Sequence, residues 1–370
     1  MKHQSLAMAT IILSCPGFFA IGAVSVPPSP TWTVAVADPS ASVTGNALAT
    51  ALAASAFVTL RPAQAVGSGP LMAGKAIKMS AGGCTANVEV RSGSTSYMLT
   101  AGHCGSARER VYLGYTKTTS LGTVRASTWG SSKLGATITA DVAMFGPVPK
   151  AQPLIFDTAT KARKIVGYAT PVVGERACFV GKGTRVEKCG PITKTQDAVR
   201  VGWNNKVDKI VTGQADVRVV AHPGDSGSPV YTVRGDGSAV MLGVLNSQDG
   251  PTMHFSPMPA ALAALGITPK VTVVTVSGKH TPGATLSAKA SLSSGVVAYG
   301  GTVAAPTSYQ WYRGSTPIPG ATKSTYTVRK TDVGKTVSVK AWVSLGGGKT
   351  SAAVRSKALL VTRVTTSKRS

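Results

Sequence analysis

The sequence has few acidic residues. Its 370 residues include 14 aspartates and glutamates against 39 lysines and arginines, a formal net charge of +25. After Asp249 the only acidic residue is Asp332, while basic residues recur to the C-terminus. Such a charge attracts polyanions and also keeps a protein soluble, and both interpretations remain open. The sequence has no nucleic-acid-binding motif, so an anionic cell-wall polymer or an acidic protein is favoured over nucleic acid as a partner.

Charged residues are absent between Lys2 and Asp38. An uncharged, largely apolar run after a basic start is typical of an export signal. Ala35-Val36-Ala37 predicts cleavage before Asp38, so residues 1–37 are interpreted as a signal peptide. A retained membrane anchor is the alternative, because the run is long enough to span a bilayer, although a cluster of prolines near its end favours cleavage. We expect a secreted, extracellular protein, and its positive charge could keep it associated with the cell wall.

Cysteines are scarce, and no CxxC unit of the kind found in zinc sites is present. The sequence has five cysteines, and Cys15 lies inside the predicted signal peptide. An even number then remains for an oxidising compartment, where disulfides form. Four cysteines allow three pairings, and composition does not choose among them. The four cysteines are Cys84, Cys104, Cys178 and Cys189. Two disulfides are therefore favoured over a metal site. We predict no metal and no cofactor.

Long helical periodicities are also rare, and the composition predicts an all-β protein. Residues 38–80 have few charges and are interpreted as a leader or short propeptide. Over residues 81–268, short β-branched runs alternate with Gly/Ser/Asn turns, which is typical of a barrel or sandwich. One helix is predicted over Pro257–Leu265, before Gly266. The composition changes at Thr268, and residues 269–370 have the length of one small β-sandwich.

Three segments carry residues suited to nucleophilic catalysis: Thr100-Ala101-Gly102-His103-Cys104, Ala140-Asp141-Val142-Ala143 and Gly224-Asp225-Ser226-Gly227-Ser228-Pro229. A serine hydroxyl is a poor nucleophile at neutral pH and needs a base to take its proton. Histidine suits that role because its pKa lies near the operating pH. A buried aspartate fixes the imidazole tautomer and stabilises the imidazolium. We therefore predict His103 as base, Asp141 as its orienting residue and Ser226 as nucleophile.

Glycines beside Ser226 fit the same chemistry. The tetrahedral oxyanion needs donors aimed at it, and glycine lets backbone N–H groups approach without side-chain hindrance. The predicted oxyanion donors are the N–H groups of Gly224 and Ser226. The order His, Asp, Ser on an all-β background matches the chymotrypsin arrangement rather than the subtilisin or α/β-hydrolase orders.

Asp141 has competitors on order alone, namely Asp157, Asp197, Asp208 and Asp216. An apolar Val-Ala-Met-Phe stretch follows Asp141, and the preference for Asp141 rests on the resemblance described next, since such a segment follows the aspartate in that family and would bury the carboxylate beside the histidine.

The segment from Val90 to Cys104 resembles the bacterial streptogrisin and α-lytic branch of the chymotrypsin-like serine peptidases. Three further segments are also similar to that branch: Cys178 to Ile192, the GDSGSP motif, and Phe255-Ser256-Pro257 with the Ala/Leu stretch after it. The resemblance covers about Cys84 to Thr268. It implies two six-stranded antiparallel β-barrels with the site between them. It also implies pairing of Cys84 with Cys104 and of Cys178 with Cys189.

The sequence departs from that branch at two points. The branch usually has an arginine after the first cysteine of the second pair, which neutralises the aspartate before the serine, whereas here Phe179 follows Cys178. Arg176, Lys182 or a new amino terminus could instead pair with Asp225, since a buried unpaired carboxylate is costly. The branch also usually carries a large folding propeptide, and residues 38–66 are too short for one.

The substrate pocket is predicted only from the motif alignment. Its walls should come from Val220-Ala221-His222, from Leu245-Asn246-Ser247 and from Met253-His254. The absence of an acid at the pocket base disfavours cleavage after Lys or Arg, so an apolar P1 residue fits best. His222 and His254 leave recognition of an acidic side chain open.

In the C-terminal part, side-chain character alternates over Ser308-Tyr309-Gln310-Trp311-Tyr312-Arg313 as in a strand of a β-sandwich, with the tryptophan facing inward. Two further strand-like runs follow, over residues 324–328 and 336–343. This part resembles the disulfide-free immunoglobulin-like repeats appended to many secreted bacterial proteins. Its basic surface could hold the enzyme to an anionic wall, or it could be a spacer.

Together these patterns predict a monomeric, secreted serine endopeptidase that hydrolyses peptide bonds in proteins or peptides through an acyl-enzyme intermediate. The alternative is a catalytically silent adhesion or binding protein built on a protease-like scaffold. Such scaffolds usually lose a member of the triad, and this sequence retains all three residue types.

Overall fold

The computed structural model describes residues 57–59, 70–80, 82–130, 135–148, 151–156, 161–203, 206–346 and 349–363. The predicted signal peptide, residues 1–37, lies outside them. The described chain is mostly β-strand with one α-helix, which confirms the all-β prediction. No helix among the described residues is both long enough and apolar enough to cross a bilayer.

The first group of strands contributes mainly to one nine-stranded sheet. In chain order these strands are β1 (Phe57–Thr59), β2 (Ala76–Met79), β3 (Gly82–Thr85), β4 (Glu89–Ser92), β5 (Thr95–Thr100), β6 (Arg110–Leu113), β7 (Thr119–Ser127), β8 (Ala136–Ile138) and β9 (Ala143–Gly146). A 3-10 turn, Gly102–Cys104, follows β5. The sheet order from β4 onward is β4-β5-β9-β7-β6-β2-β3, and we call these seven strands the first barrel.

The second group lies in a ten-stranded sheet. Its strands are β10 (Leu154–Phe156), β11 (Lys161–Tyr168), β12 (Arg176–Phe179), β13 (Lys188–Trp203), β14 (Lys206–Arg218), β15 (Pro229–Val233), β16 (Ala239–Asp249) and β17 (Thr252–Pro257). The order β16-β15-β12-β13-β14-β17 closes on itself through the β16–β17 pairing. These six strands form a closed second barrel, as the resemblance implies. Helix α1 (Met258–Ala264) follows β17, where the sequence predicts it.

Most of the remaining strands form two small sheets around a core of their own, while β20 and β21 join the nine-stranded sheet. They are β18 (Val271–Ser277), β19 (Thr285–Leu292), β20 (Ser294–Val297), β21 (Val303–Ala304), β22 (Thr307–Arg313), β23 (Thr316–Pro317), β24 (Thr325–Thr327), β25 (Thr336–Gly346), β26 (Lys349–Thr350), β27 (Val354–Arg355) and β28 (Leu359–Leu360). A three-stranded sheet contains β18, β19 and β24, and a six-stranded sheet contains β22, β23 and β25–β28. The immunoglobulin-like assignment stays a prediction.

Side-chain alternation explains this C-terminal core. Along β25, Val337, Val339, Ala341 and Val343 are all fully buried, while the residues between them point to the other face. Successive side chains of a strand point to opposite faces, so a period of two gives one apolar face. Trp311 is also fully buried, and its indole N–H donates to the Lys323 carbonyl at 2.9 Å.

Two strands from the C-terminal part extend the sheet of the first barrel. Strand β20 pairs antiparallel with β4, with Val296 opposite Val90, and β21 pairs with β20. Val296 is fully buried in the same core cluster as the barrel residues. The domain boundary predicted at Thr268 therefore falls before a segment that completes the first sheet.

The first barrel also begins earlier than the sequence analysis places it. Strand β2 pairs with β3 and β6, and Leu71, Met72 and Ala73 are buried in the barrel core. Residues 71–79 belong to the low-charge stretch 38–80 that the sequence predicts as a leader or short propeptide. Their apolar side chains in fact fill the barrel, and the boundary predicted at residue 81 falls inside the β2–β3 hairpin.

Candidate active site

His103 and Asp141 contact each other through two hydrogen bonds. The backbone N–H of His103 donates to Asp141 Oδ1 at 2.9 Å, and the ring Nδ1 lies 2.6 Å from Oδ2. A carboxylate acceptor requires that Nδ1 carry the proton, which leaves Nε2 free to accept one. The histidine side chain keeps 24% of its surface exposed, while the Asp141 side chain is fully buried. A carboxylate that holds a histidine in this way can orient it as a base.

Local backbone geometry builds this pair. His103 lies in the 3-10 turn after β5, and Asp141 lies just before β9, the neighbour of β5 in the sheet. A Cβ at Gly102 would lie 2.7 Å from Asp141 Oδ1, so only glycine lets the carboxylate approach the turn. The Asp141 N–H donates to Ser256 Oγ at 2.9 Å, which ties the first barrel to strand β17 of the second.

The pKa of His103 is displaced by opposing effects. Burial alone lowers the pKa of the ring, but the charge of Asp141 and its hydrogen bond outweigh burial, and the net pKa lies above its ordinary value of 6.5. The imidazolium is therefore stabilised relative to a histidine in water.

The competing aspartates lie elsewhere. Asp216 pairs with His254 Nδ1 at 2.8 Å, and Asp197 pairs with Lys194 at 2.9 Å. Asp157 and the side chain of Asp208 lie outside the described residues. Burial raises the pKa of Asp216 most strongly, with hydrogen bonds to His254 and Asp197 acting in opposite directions.

Ser226 lies in the loop between β14 and β15, against the first barrel. Its carbonyl accepts the Thr85 N–H at 2.9 Å. A Cβ at Gly227, whose φ is +87°, would collide with Thr100 Oγ1 and the Thr85 carbonyl. Glycine after the serine therefore lets this loop approach Thr100 at the end of β5, three residues before His103.

The two predicted oxyanion donors make no hydrogen bond to other described residues. Within the described residues, neither the Gly224 N–H nor the Ser226 N–H donates a hydrogen bond, whereas the Asp225 and Gly227 N–H groups both do. Gly224 has a φ of +99°, a left-handed conformation that favours glycine. A pair of free N–H groups on either side of one residue is what an oxyanion hole requires.

Asp225 is fully buried and is held by hydrogen bonds from neighbouring loops. Oδ1 accepts from the N–H groups of Gly183 at 2.8 Å and Thr184 at 2.9 Å. Oδ2 accepts from the His222 N–H at 2.8 Å and from the Thr184 hydroxyl. None of the three cationic partners considered from the sequence is needed, because four donors satisfy this carboxylate.

The predicted pocket residues are split between exposed and buried positions. Val220 and His222 are exposed, and Ala221 donates its N–H to Gln248 Oε1. Leu245 and Asn246 are buried, and the Asn246 amide donates to Gln214 and Ser256, while the Ser247 hydroxyl donates to Asn246 Oδ1 at 3.1 Å. Met253 and Phe255 pack with Leu245 in the core of the second barrel.

Both disulfides pair as the resemblance implies, Cys84 with Cys104 and Cys178 with Cys189. The first joins β3 to the turn that holds His103. The second lies across β12 and β13 of the second barrel. Cys84, His103 and Cys104 lie within ligand distance of one another, but disulfide sulfurs are not the thiolates that bind zinc.

Part of the chain is similar to known proteins. The chain is 31% identical over 214 residues to streptogrisin D of Streptomyces griseus. The match covers 53% of this chain and 47% of that protein, so the chain spans about half the length of the curated relative it matches. No family model matches the chain. About half of the chain is thus similar in sequence to a streptogrisin.

Solved structures similar to the chain include a protease and a protease homologue. Protease A of Thermobifida fusca is 26% identical, with 53% of this chain and 96% of that chain covered and a TM-score of 0.42. An α-lytic protease homologue, N4, is 22% identical, with 53% and 97% covered and a TM-score of 0.42.

Three contacts of the protease-like site were missed by sequence reasoning. Ser256 accepts the Asp141 N–H, the Thr184 hydroxyl donates to Asp225, and the Trp129 ring lies edge-on to His103 at 5.6 Å between centroids. Each partner comes from a distant part of the chain, so no local motif marks it. Ser256 alone had a signal, since it lies inside the Phe255-Ser256-Pro257 segment.

Proposed function

We propose that this chain is a secreted serine endopeptidase. The carbonyl carbon of the scissile peptide bond is attacked by Ser226 Oγ, whose proton passes to His103 Nε2. Asp141 stabilises the resulting imidazolium, and the N–H groups of Gly224 and Ser226 donate to the oxyanion. When the C–N bond breaks, His103 gives its proton to the leaving amine. Water, activated by the same base, then hydrolyses the acyl-enzyme.

The observation that carries this proposal is the buried Asp141 carboxylate, which holds His103 by its backbone and its ring. The free N–H groups at Gly224 and Ser226 support it. The two disulfides fit an oxidising compartment outside the cell.

For substrate preference we propose a small apolar P1 residue. Leu245, Met253 and Phe255 are each at most 2% exposed and pack against one another, which supports a shallow pocket. His254 is already bound to Asp216 and is buried, so a substrate carboxylate there would meet the charge of Asp216. His222 is exposed and is the remaining group that could favour an acidic P1.

The C-terminal part is proposed to bind an anionic cell-wall polymer. Fifteen lysines and arginines and one acid follow residue 268, and that acid, Asp332, is buried and paired with Arg313. On the outer face of the six-stranded sheet, the Tyr312 ring lies 5.2 Å from Lys340 Nζ and 4.6 Å from the Arg355 guanidinium. Cations around an aromatic ring suit a charged polysaccharide, with attraction that weakens as salt rises.

Both proposals are testable on purified protein. Digestion of a peptide library, with Ser226→Ala as the control, would give activity and P1 preference together. For the polymer, retention of Ser226→Ala on anionic cell walls should fall with salt and should fall further when Lys340 and Arg355 are changed to glutamine. Equal retention of that variant would mean that this face is only a spacer surface.

A further inference from the structure

Lys182 lies against the backbone that carries the oxyanion donors. A Cβ built on Gly224 would be 3.0 Å from Lys182 Nζ, and one built on Gly83 would be 2.6 Å from its Cε. The lysine side chain therefore fills the space between these two glycines, two residues from Ser226. Its position is fixed by its own N–H, which donates to Thr85 Oγ1 at 2.9 Å, while that hydroxyl donates to the Gly224 carbonyl.

The charge of Lys182 has no acidic partner within the part of the chain that the structure describes. The nearby carboxylate, Asp225, is already satisfied by four other donors. The ammonium lies 5.8 Å from the centre of the Tyr115 ring, and the residue is half-buried. A cation beside a reaction centre and without a counter-ion can accept one from a ligand.

The position of Lys182 indicates which part of a substrate it would meet. Leu245, Ser247 and the other predicted P1 walls belong to the second barrel and its loops. Lys182 instead reaches across to Gly83 in β3 of the first barrel. His103, which gives its proton to the leaving amine, also belongs to the first barrel, and the Cys84–Cys104 disulfide joins it to β3. The substrate residues that follow the scissile bond, which leave with the amine, would therefore run over β3 and Lys182.

We propose that Lys182 binds a carboxylate within the first two residues after the scissile bond. This inference rests on the proposed peptidase function and specifies its substrate class as peptides that are acidic on the leaving side. The carboxylate can belong to an Asp or Glu side chain or to a free C-terminus, because an ammonium on a flexible stem recognises either as a point charge.

The test uses internally quenched peptides that share one P1 residue and carry Asp or Asn at the first or second position after the cleaved bond. A second set ends two residues after that bond, with either a free or an amidated C-terminus. The measured quantity is the ratio of kcat/KM between charged and neutral members of each pair. For the wild-type protein we expect this ratio to be about threefold to tenfold in favour of the charged peptide, as for a partly exposed charge pair.

Four variants make the test specific. Lys182→Met should bring the ratio near one, Lys182→Glu should invert it, and Lys182→Arg should restore it. Lys289→Met removes the same charge from an exposed site on β19 and should keep the wild-type ratio. Equal ratios in wild type and Lys182→Met would overturn the role of Lys182 while leaving the peptidase intact. Failure to cleave any peptide, with folded protein, would overturn both.

Discussion

Asp141 binds His103 at two points, since its Oδ1 accepts the backbone N–H at 2.9 Å and its Oδ2 lies 2.6 Å from the ring Nδ1. One carboxylate thus sets both the position of the turn and the tautomer of the ring. Ser256 supports it from the other barrel through the Asp141 N–H. The Asp141–His103 pair is therefore hydrogen-bonded to both barrels.

Asp141→Asn should lower kcat about 10⁴-fold, because the amide cannot hold the ring in the tautomer that accepts the serine proton. The measurement is steady-state hydrolysis of a peptide substrate. Asp197→Asn is the matched control, since Asp197 contacts Lys194 at the surface and should keep nearly full activity. A severe loss in Asp197→Asn with a mild one in Asp141→Asn would move the orienting role away from Asp141.

His103 should titrate above its ordinary pKa of 6.5, because the charge of Asp141 and its hydrogen bond favour the imidazolium. The base acts only when neutral, so kcat/KM should fall as pH drops through this raised pKa. Ring-proton NMR of Ser226→Ala would follow the titration directly. In Asp141→Asn the pKa should decrease, since the carboxylate charge is gone. An unchanged or higher value would contradict the proposed cause.

Ser256→Ala should leave the buried Asp141 N–H without its acceptor. An unsatisfied buried donor costs about 1–3 kcal/mol, and we expect both a lower free energy of unfolding and a lower kcat. Urea unfolding and peptide hydrolysis measure the two effects. Ser106→Ala, at an exposed position, is the control and should change neither. If Ser256→Ala behaves like this control, the serine has no role in holding Asp141.

Val296→Asp should destabilise the first barrel although residue 296 lies beyond the predicted enzyme domain. Val296 is fully buried opposite Val90, and an unpaired charge there has no compensating partner. We expect a loss of at least about 3 kcal/mol in the free energy of unfolding. Val273→Asp, at a side chain that is 51% exposed, should be nearly neutral. Equal unfolding curves for these two variants would show that β20 is dispensable.

The contact of the buried Asp141 carboxylate with His103 was predictable from the sequence. His103, Asp141 and Ser226 each lie in a short motif, and Pro257–Leu265 was predicted as the helix found at Met258–Ala264. The all-β class followed from the β-branched runs between turns. These features depend on neighbouring residues and are therefore visible in a linear string.

The rest depends on contacts between distant segments. The backbone N–H groups of Gly183 and Thr184 satisfy Asp225, and no side-chain pattern marks a backbone donor. The pairing of β20 with β4 joins residues about two hundred positions apart, which composition does not reveal. Residues 71–79 lie inside the stretch predicted as a leader, and their apolar side chains pack in the barrel core through contacts with distant strands that the local sequence does not reveal.

The measurement that tests the account most directly is active-site labelling of Ser226. A fluorophosphonate reacts with a serine only when that serine is activated as a nucleophile, and intact-protein mass spectrometry counts the adducts. We predict one adduct per chain, mapped to Ser226, absent in Ser226→Ala and strongly slowed in His103→Ala. Ser106→Ala should label at the wild-type rate. Folded wild-type protein that remains unlabelled, or that is labelled at another serine, would contradict the assignment of Ser226 as the nucleophile.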